Sequence, residues 1–310
     1  SEEKSYAGNF YQLHQLKKQR PNLKTLISLG GWTLSNPFSE MASTAARREN
    51  FAQNCVDFCK KYDFDGIDID WEYPGFADHS GRPEDTVNFT LLLKTVSEKL
   101  RAQNPALLLT IAAPAGPNHY KNIEVSKIHL YLDWINIMGY DFHGPWGGDE
   151  DALTNHLAAI MPTEYGHPLF NVSSVIDYYI SQGVPEEKIV LGLPLYGRSF
   201  ASAKDTPSGL YSTYNGPGYA TTEEVGYVFY SDIQKNLLNT YTSYWDPKAL
   251  GAYIYNHTTK DFISYDSEQS WTLKAQIIKD RGLGGAMVWE LGMDTMPDWK
   301  MMTHLNNQLK

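Results

Sequence analysis

Apolar and polar positions along the chain fall into two rhythms. Short runs rich in Ile, Leu, Val and Phe, ending in glycine or a polar cluster, read as strands, and stretches whose apolar residues recur every three or four positions read as helices. This predicts strands over 24–30, 64–72, 107–113, 134–140, 189–196 and 285–290, and helices over 9–19, 44–61, 86–104, 172–182 and 270–281. Strands alternating with helices in this order form a parallel sheet with helical crossovers. Polar and aromatic residues gather at or just past the carboxyl ends of these strands, at Trp32, Glu72, Tyr140, Asp141, Arg198 and Trp289. Barrel enzymes and open α/β sheets both place their sites there. Between Arg198 and about Phe262 the rhythm changes to Gly, Ser, Thr and Tyr with short β-like runs such as 251–255. A structureless loop of that length is uncommon inside a compact domain, so this stretch predicts a small inserted α+β subdomain.

The segment 64–72, Phe-Asp-Gly-Ile-Asp-Ile-Asp-Trp-Glu, departs from the usual make-up of a buried parallel strand. Residues two apart share a face, so Asp68, Asp70 and Glu72 line one side and Ile67, Ile69 and Trp71 the other. The apolar side suits the covering helices, which makes Trp71 a core residue. Three acids then face the barrel interior, where Val, Ile or Leu is usual. Successive carboxylates in such a row lie ~6 to 7 Å apart at Cα, close enough for burial and repulsion to raise at least one pKa. A carboxyl raised in this way keeps its proton near neutrality and can serve as a general acid. Glu72, last in the row and longest of the three, is the candidate. A single acid here would more simply cap a helix or pair with a base, but three on one buried face require another reason. The rival is a divalent cation held by the three carboxylates; no ligand loop of the EF-hand type lies nearby, so neither a metal nor another cofactor is expected.

Composition narrows the classes. The 310 residues are 42% hydrophobic and 20% charged, enough to bury one or two full cores. A formal net charge of -10 disfavours binding to nucleic acid or an anionic membrane and suits a neutral substrate. No apolar run approaches the roughly 20 residues that cross a bilayer, and Ser1-Glu2-Glu3-Lys4 does not read as a signal peptide. The two cysteines, Cys55 and Cys59, are four apart on a predicted helix and read as buried thiols. Aromatic residues reach 13%, with 21 Tyr and 8 Trp. Most serve as core, and several suit a groove in which flat rings meet the apolar faces of sugars.

The pattern Asp65-x-x-Asp68-x-Asp70-x-Glu72 resembles the signature of glycoside hydrolase family 18, the chitinases. Ser28-Leu-Gly-Gly-Trp32 resembles that family's third-strand motif, Met138-Gly-Tyr-Asp141 its sixth, Leu193-Pro-Leu-Tyr-Gly-Arg198 its seventh and Gly284-Gly-Ala-Met-Val-Trp289 its eighth. The motifs stand in the family's order and cover nearly the whole chain. The resemblance implies an α/β fold, a TIM (β/α)8 barrel built from residues 1–199 and 263–310. It also implies a chitinase insertion domain at 200–262, walling one side of a groove. It further implies substrate-assisted retaining hydrolysis of β-1,4 bonds in chitin or N-acetylglucosamine oligosaccharides, with no protein nucleophile.

By the same resemblance Glu72 protonates the leaving oxygen, Asp70 accepts the acetamido N–H, and Asp68 shares a proton with Asp70. Tyr140 bonds the acetamido carbonyl, Met138 packs beneath its methyl, and Asp141 and Arg198 bind sugar hydroxyls. Trp289 forms the floor, Trp32 and Trp146 stack on neighbouring sugars, and Tyr73 lies beside the acid. Plainer readings exist: Met138 as core, Trp32 and Trp146 as residues that pin turns, and Arg198 as the partner of an acid in the insertion. Two other activities fit the scaffold, an endo-β-N-acetylglucosaminidase acting on N-glycans and a chitin-binding lectin. The insertion argues against the first, and the presence of all three acids against the second. The expected protein is a secreted monomer, secretion following from the location of the polymer.

The family's first two strands have no counterpart here; the chain opens at about Tyr6 in what resembles the helix before strand three. The expectation is an N-terminal truncation, or a missing segment supplied by something else, with two strand edges unpaired. An aromatic residue that the family carries on strand one, behind Asp68, is absent with it.

Overall fold

The helix Ala45–Tyr62 buries Ala52, Cys55, Val56 and Cys59, which recur at the spacing of one helical face. It begins where Thr44 accepts the N–H of Arg47 and ends at Asp63, a left-handed residue with φ 53°. The helix Asp85–Gln103 repeats the pattern with Phe89, Leu92, Leu93, Val96 and Leu100 buried. Each fully buried Leu of this kind contributes roughly 1.5–3 kcal/mol. Both cysteines are free and buried, and burial pushes the Cys55 thiol up to about 12 and the Cys59 thiol to about 11, so neither is reactive near neutrality.

The computed structural model describes residues 8–310, which divide into two units: 8–114 with 118–135, and 115–117 with 136–310. Tyr6, where the first helix was expected to open, lies outside the described residues; the helix is Asn9–Gln19. In the first unit β1 (Leu26–Gly30), β2 (Gly66–Asp70) and β3 (Leu108–Ala113) pair in parallel, with Ser28 opposite Asp68 and Asp68 opposite Thr110. Ile67 and Ile69 are fully buried and Trp71 nearly so, packed against Phe38 and Phe89 at ring distances of 5.6 and 5.5 Å. The apolar side of β2 is therefore the helix-covered side, and Trp71 is core.

Strand β4 (Trp134–Ile137) begins in the first unit and ends in the second. In the second, β5 (Ile189–Pro194) starts just after the helix Val172–Ser181, whose N-cap is the buried Asn171. Its strands β6 (Tyr196–Phe200), β7 (Tyr227–Phe229), β8 (Thr242–Asp246), β9 (Gly251–Tyr255) and β10 (Phe262–Tyr265) form an antiparallel sheet in the order β7-β6-β10-β9-β8. Phe200, Ala203, Tyr253, Tyr255 and Phe262 make its core, with Tyr214 and Tyr244 packed on it, so much of the tyrosine surplus is structural. The chain then runs through the helix Glu268–Asp280 into β11 (Gly285–Trp289), which pairs in parallel with β5, Trp289 opposite Pro194. The parallel sheet is α/β with strand order β1-β2-β3-β4-β5-β11, six strands of a (β/α)8 barrel, and the antiparallel sheet is inserted between its last two. The two outer strands, β1 and β11, contain no fully buried residue, as expected of strands that have no neighbour on one side among the described residues.

Candidate active site

In the first unit the register of three parallel strands builds the carboxylate row. Ser28 and Thr110 flank Asp68 at the same level, and residues in register on neighbouring strands show their side chains to one face. Ser28 Oγ donates to Asp68 Oδ2 at 2.7 Å and Thr110 Oγ1 to Oδ1 at 2.6 Å. Asp70, the last residue of β2, is only 9% exposed, and its Oδ1 has no hydrogen-bond partner among the described residues. Burial first, then the charge of Glu72 and then that of Asp68, push its carboxyl up to about 8. Burial thus acts on the acid still inside the strand, while Glu72 lies two residues past its end and is half-buried.

The backbone of Glu72 is held tightly. Ser35 Oγ accepts its N–H at 3.2 Å and donates to its carbonyl at 3.1 Å, and His79 Nδ1 meets the same carbonyl at 2.7 Å. The Glu72–Tyr73 peptide is cis. Around it stands an aromatic group. Trp32 is 54% exposed and lies parallel to the His79 ring at 4.2 Å, and Tyr73 stacks on His119 at 4.1 Å. Phe76 sits between, 6.4 Å from Trp32 and 4.9 Å from His119. Burial, with help from Lys121, lowers His119 to about 4, so it is neutral at physiological pH. Among the described residues no group of three His, Cys, Asp or Glu gathers to hold a metal ion.

The second unit carries the remaining residues. Arg198, on β6, donates from Nε and Nη2 to the two oxygens of Asp141, both at 2.9 Å, and from Nη1 to Glu224 at 3.0 Å. Its guanidinium lies 4.7 Å from the Tyr227 ring centroid and 5.3 Å from those of Tyr196 and Trp146. Burial alone would lower the Arg198 pKa, but Asp141, Tyr196 and Glu224 together hold it above its ordinary value. Asp141 and Arg198, expected as separate sugar ligands, are thus partners of each other, and Arg198 also pairs with an acid of the insertion, Glu224. The Asp141 side chain remains one-third exposed.

Met138 and Tyr140 are buried just past β4. A Cβ at Gly192 would run into the Ile137 carbonyl and come within 2.9 Å of the Met287 methyl and 3.0 Å of the Tyr140 ring, so only glycine fits there. The Tyr140 hydroxyl lies 3.8 Å from the Met287 sulfur, and its ring meets Tyr196 edge-on at 5.9 Å. Trp289 ends β11 with 47% exposure, and the Trp289–Glu290 peptide is also cis. Trp146 is 54% exposed. Thr110, Ser35, His79, His119 and Tyr227 were not anticipated; Ser28 was read only as part of a motif and Glu224 only as an unnamed acid of the insertion, since these roles depend on register and loop approach. Tyr196 could have been, because it lies two residues from Arg198 on one strand and shares its face.

A family model described as glycosyl hydrolases family 18 matches residues 1–294. The chain belongs to that family. It is 45% identical over 304 residues to Chitinase A1 of Niallia circulans, covering 93% of this chain and 43% of that protein. It is 39% identical over 308 residues to Chitinase 1 of Aphanocladium album, covering 93% and 69%. Among solved structures, Chitinase ChiA74 from Bacillus thuringiensis superposes with a TM-score of 0.90 at 40% identity, covering 98% of this chain and 53% of that one. The chain therefore spans about half the length of the first of these relatives and of that structure.

Proposed function

We propose that the protein is a chitinase, cleaving β-1,4 bonds between N-acetylglucosamine units by substrate-assisted retaining hydrolysis. The observation that carries this reading is the acid row at the end of β2, with Asp70 buried, its carboxyl pushed well above the usual range by burial and by Glu72, and Glu72 itself just beyond the strand. The substrate's acetamido oxygen attacks the anomeric carbon as the glycosidic C–O bond breaks, and Glu72 gives its proton to the leaving oxygen. As substrate settles, Asp70 passes its proton to Glu72, which delivers it to the leaving oxygen, and the Asp70 carboxylate so formed accepts the acetamido N–H and stabilises the oxazolinium cation. Asp68, whose oxygens already accept from Ser28 and Thr110, shares the proton with Asp70 until that transfer. Water then attacks the same carbon, Glu72 removes a proton from it, and the acetamide re-forms with retention of configuration.

Tyr140 donates to the acetamido carbonyl and Met138 packs beneath its methyl. Asp141 offers its exposed edge to a sugar hydroxyl and Arg198 fixes that carboxylate as well as binding sugar itself. Trp289 carries the sugar being cut, Trp32 and Trp146 carry its neighbours, and Tyr73 lies beside the acid. Residues 1–199 with 263–310 form the catalytic part and 200–262 the insertion domain. The protein acts as a secreted monomer on a neutral polymer, a reading that rests on the extracellular substrate and on the net charge of -10, which disfavours nucleic acid and anionic membranes. Release of fluorophore from labelled chitooligosaccharides, abolished by Glu72→Gln, tests the reading. Full activity of Glu72→Gln would remove Glu72 from its role.

A further inference from the structure

The Trp146 ring packs over Gly144 and lies 5.3 Å from the Arg198 guanidinium, but the backbone that follows it has little of its own to hold it. Gly147 and Gly148 follow with φ of +77° and +89°, and a Cβ at either would meet nothing within 4 Å. Two such glycines leave the backbone wide freedom unless it is tied elsewhere. The tie comes from Tyr214, in the stretch proposed as the insertion domain. Its hydroxyl accepts the N–H of Gly147 at 3.2 Å and donates to the carbonyl of Asp151 at 2.7 Å, so one oxygen closes the loop from both ends. The Tyr214 ring is anchored edge-on against Phe200 at 4.9 Å, within the core of the antiparallel sheet. The far end of the loop is fixed independently, since Asp151 Oδ1 meets His143 Nδ1 at 3.1 Å and accepts the N–H of Gly144 at 3.3 Å. Trp146 and Tyr214 together line a recess of about 400 Å³.

We propose that Tyr214 is a positioning residue for substrate: its hydroxyl clamps the loop so that the Trp146 indole stays poised at this recess to receive a sugar ring. The inference rests on the chitinase reading for its ligand, but the clamp itself can be measured without substrate. Tyr214→Phe keeps the ring against Phe200 and removes only the hydroxyl. In protein labelled with 5-fluorotryptophan, with the Trp146 signal assigned by Trp146→Phe, Tyr214→Phe should shift or broaden that resonance and leave those of the other tryptophans in place, which also reports an intact fold. On chitooligosaccharides it should raise KM about fivefold, the effect of one ordinary hydrogen bond, with kcat kept. In a Trp146→Ala background the same change should add nothing. An unmoved Trp146 resonance, or a KM effect that persists without Trp146, overturns the proposal. A wild-type protein that cleaves no chitooligosaccharide sinks the functional reading instead, and the fluorine spectrum alone then decides the clamp.

Discussion

Replacing Asp70 by asparagine should make the protein more stable at neutral pH, an unusual outcome for a residue assigned to catalysis. Above 3.8 an unfolded chain has released the proton of this side chain, whereas the folded chain keeps it to about 8. The native state therefore binds more protons across that window, and stability falls as pH rises, by about 1.4 kcal/mol per unit. At pH 7 the accumulated loss is about 4 kcal/mol. Asparagine does not ionise and is spared this loss, but its amide must occupy the place where Oδ1 has no partner, at a cost of about 1–3 kcal/mol. The net expectation for Asp70→Asn is a gain of about 1–3 kcal/mol at pH 7 that shrinks to nothing, or reverses, near pH 4.5. Urea unfolding of both proteins at several pH values, followed by tryptophan fluorescence, measures the difference. A stability difference that stays constant from about pH 4.5 to 7.5 would refute the claim that Asp70 is protonated in the native state.

The same proton should shape activity: kcat/KM is expected to fall on the alkaline side near pH 8, where the row loses it, and the fall should move to lower pH in Asp70→Asn if any activity is left. Glu72→Gln should lower kcat by about 10²–10⁴-fold with an unchanged melting temperature, measured on the same fluorogenic substrates. Trp32→Ala should raise KM about two- to tenfold while kcat is preserved, because the indole offers a face and takes no part in bond breaking. Arg198→Ala removes the guanidinium from the partly buried Asp141 carboxylate and from its packing against the Tyr227 ring, and should destabilise the protein by about 1–3 kcal/mol in denaturant titration.

The six strands and five of the helices were legible because their cause is local. Alternation on 64–72 is a property of the strand itself, and the burial of Ile67, Ile69 and Trp71 opposite the acids follows from it. The helix ends shifted by a residue or two, as at Ala45–Tyr62 against an expected 44–61, since end positions depend on caps such as Thr44 and Asp63. What could not be read was anything that needs register between strands or the approach of a loop. Ser28 stands in a motif that gives it no partner and Thr110 in none, and both become partners of Asp68 only because β1, β2 and β3 align at that level.

Arg198 shows the same limit from the other side. In sequence it offers five N–H donors to a substrate, and in the folded chain three of its nitrogens already serve Asp141 and Glu224. A buried guanidinium has to be paired before any ligand arrives, so its first task is to hold a carboxylate in a fixed plane. Asp141 then presents an oriented edge at no further conformational cost to the sugar. The loss expected for Arg198→Ala should accordingly appear in stability and in KM together, while Asp141→Asn, which keeps an oxygen for the guanidinium and weakens the pair, should raise KM with a smaller change in melting temperature.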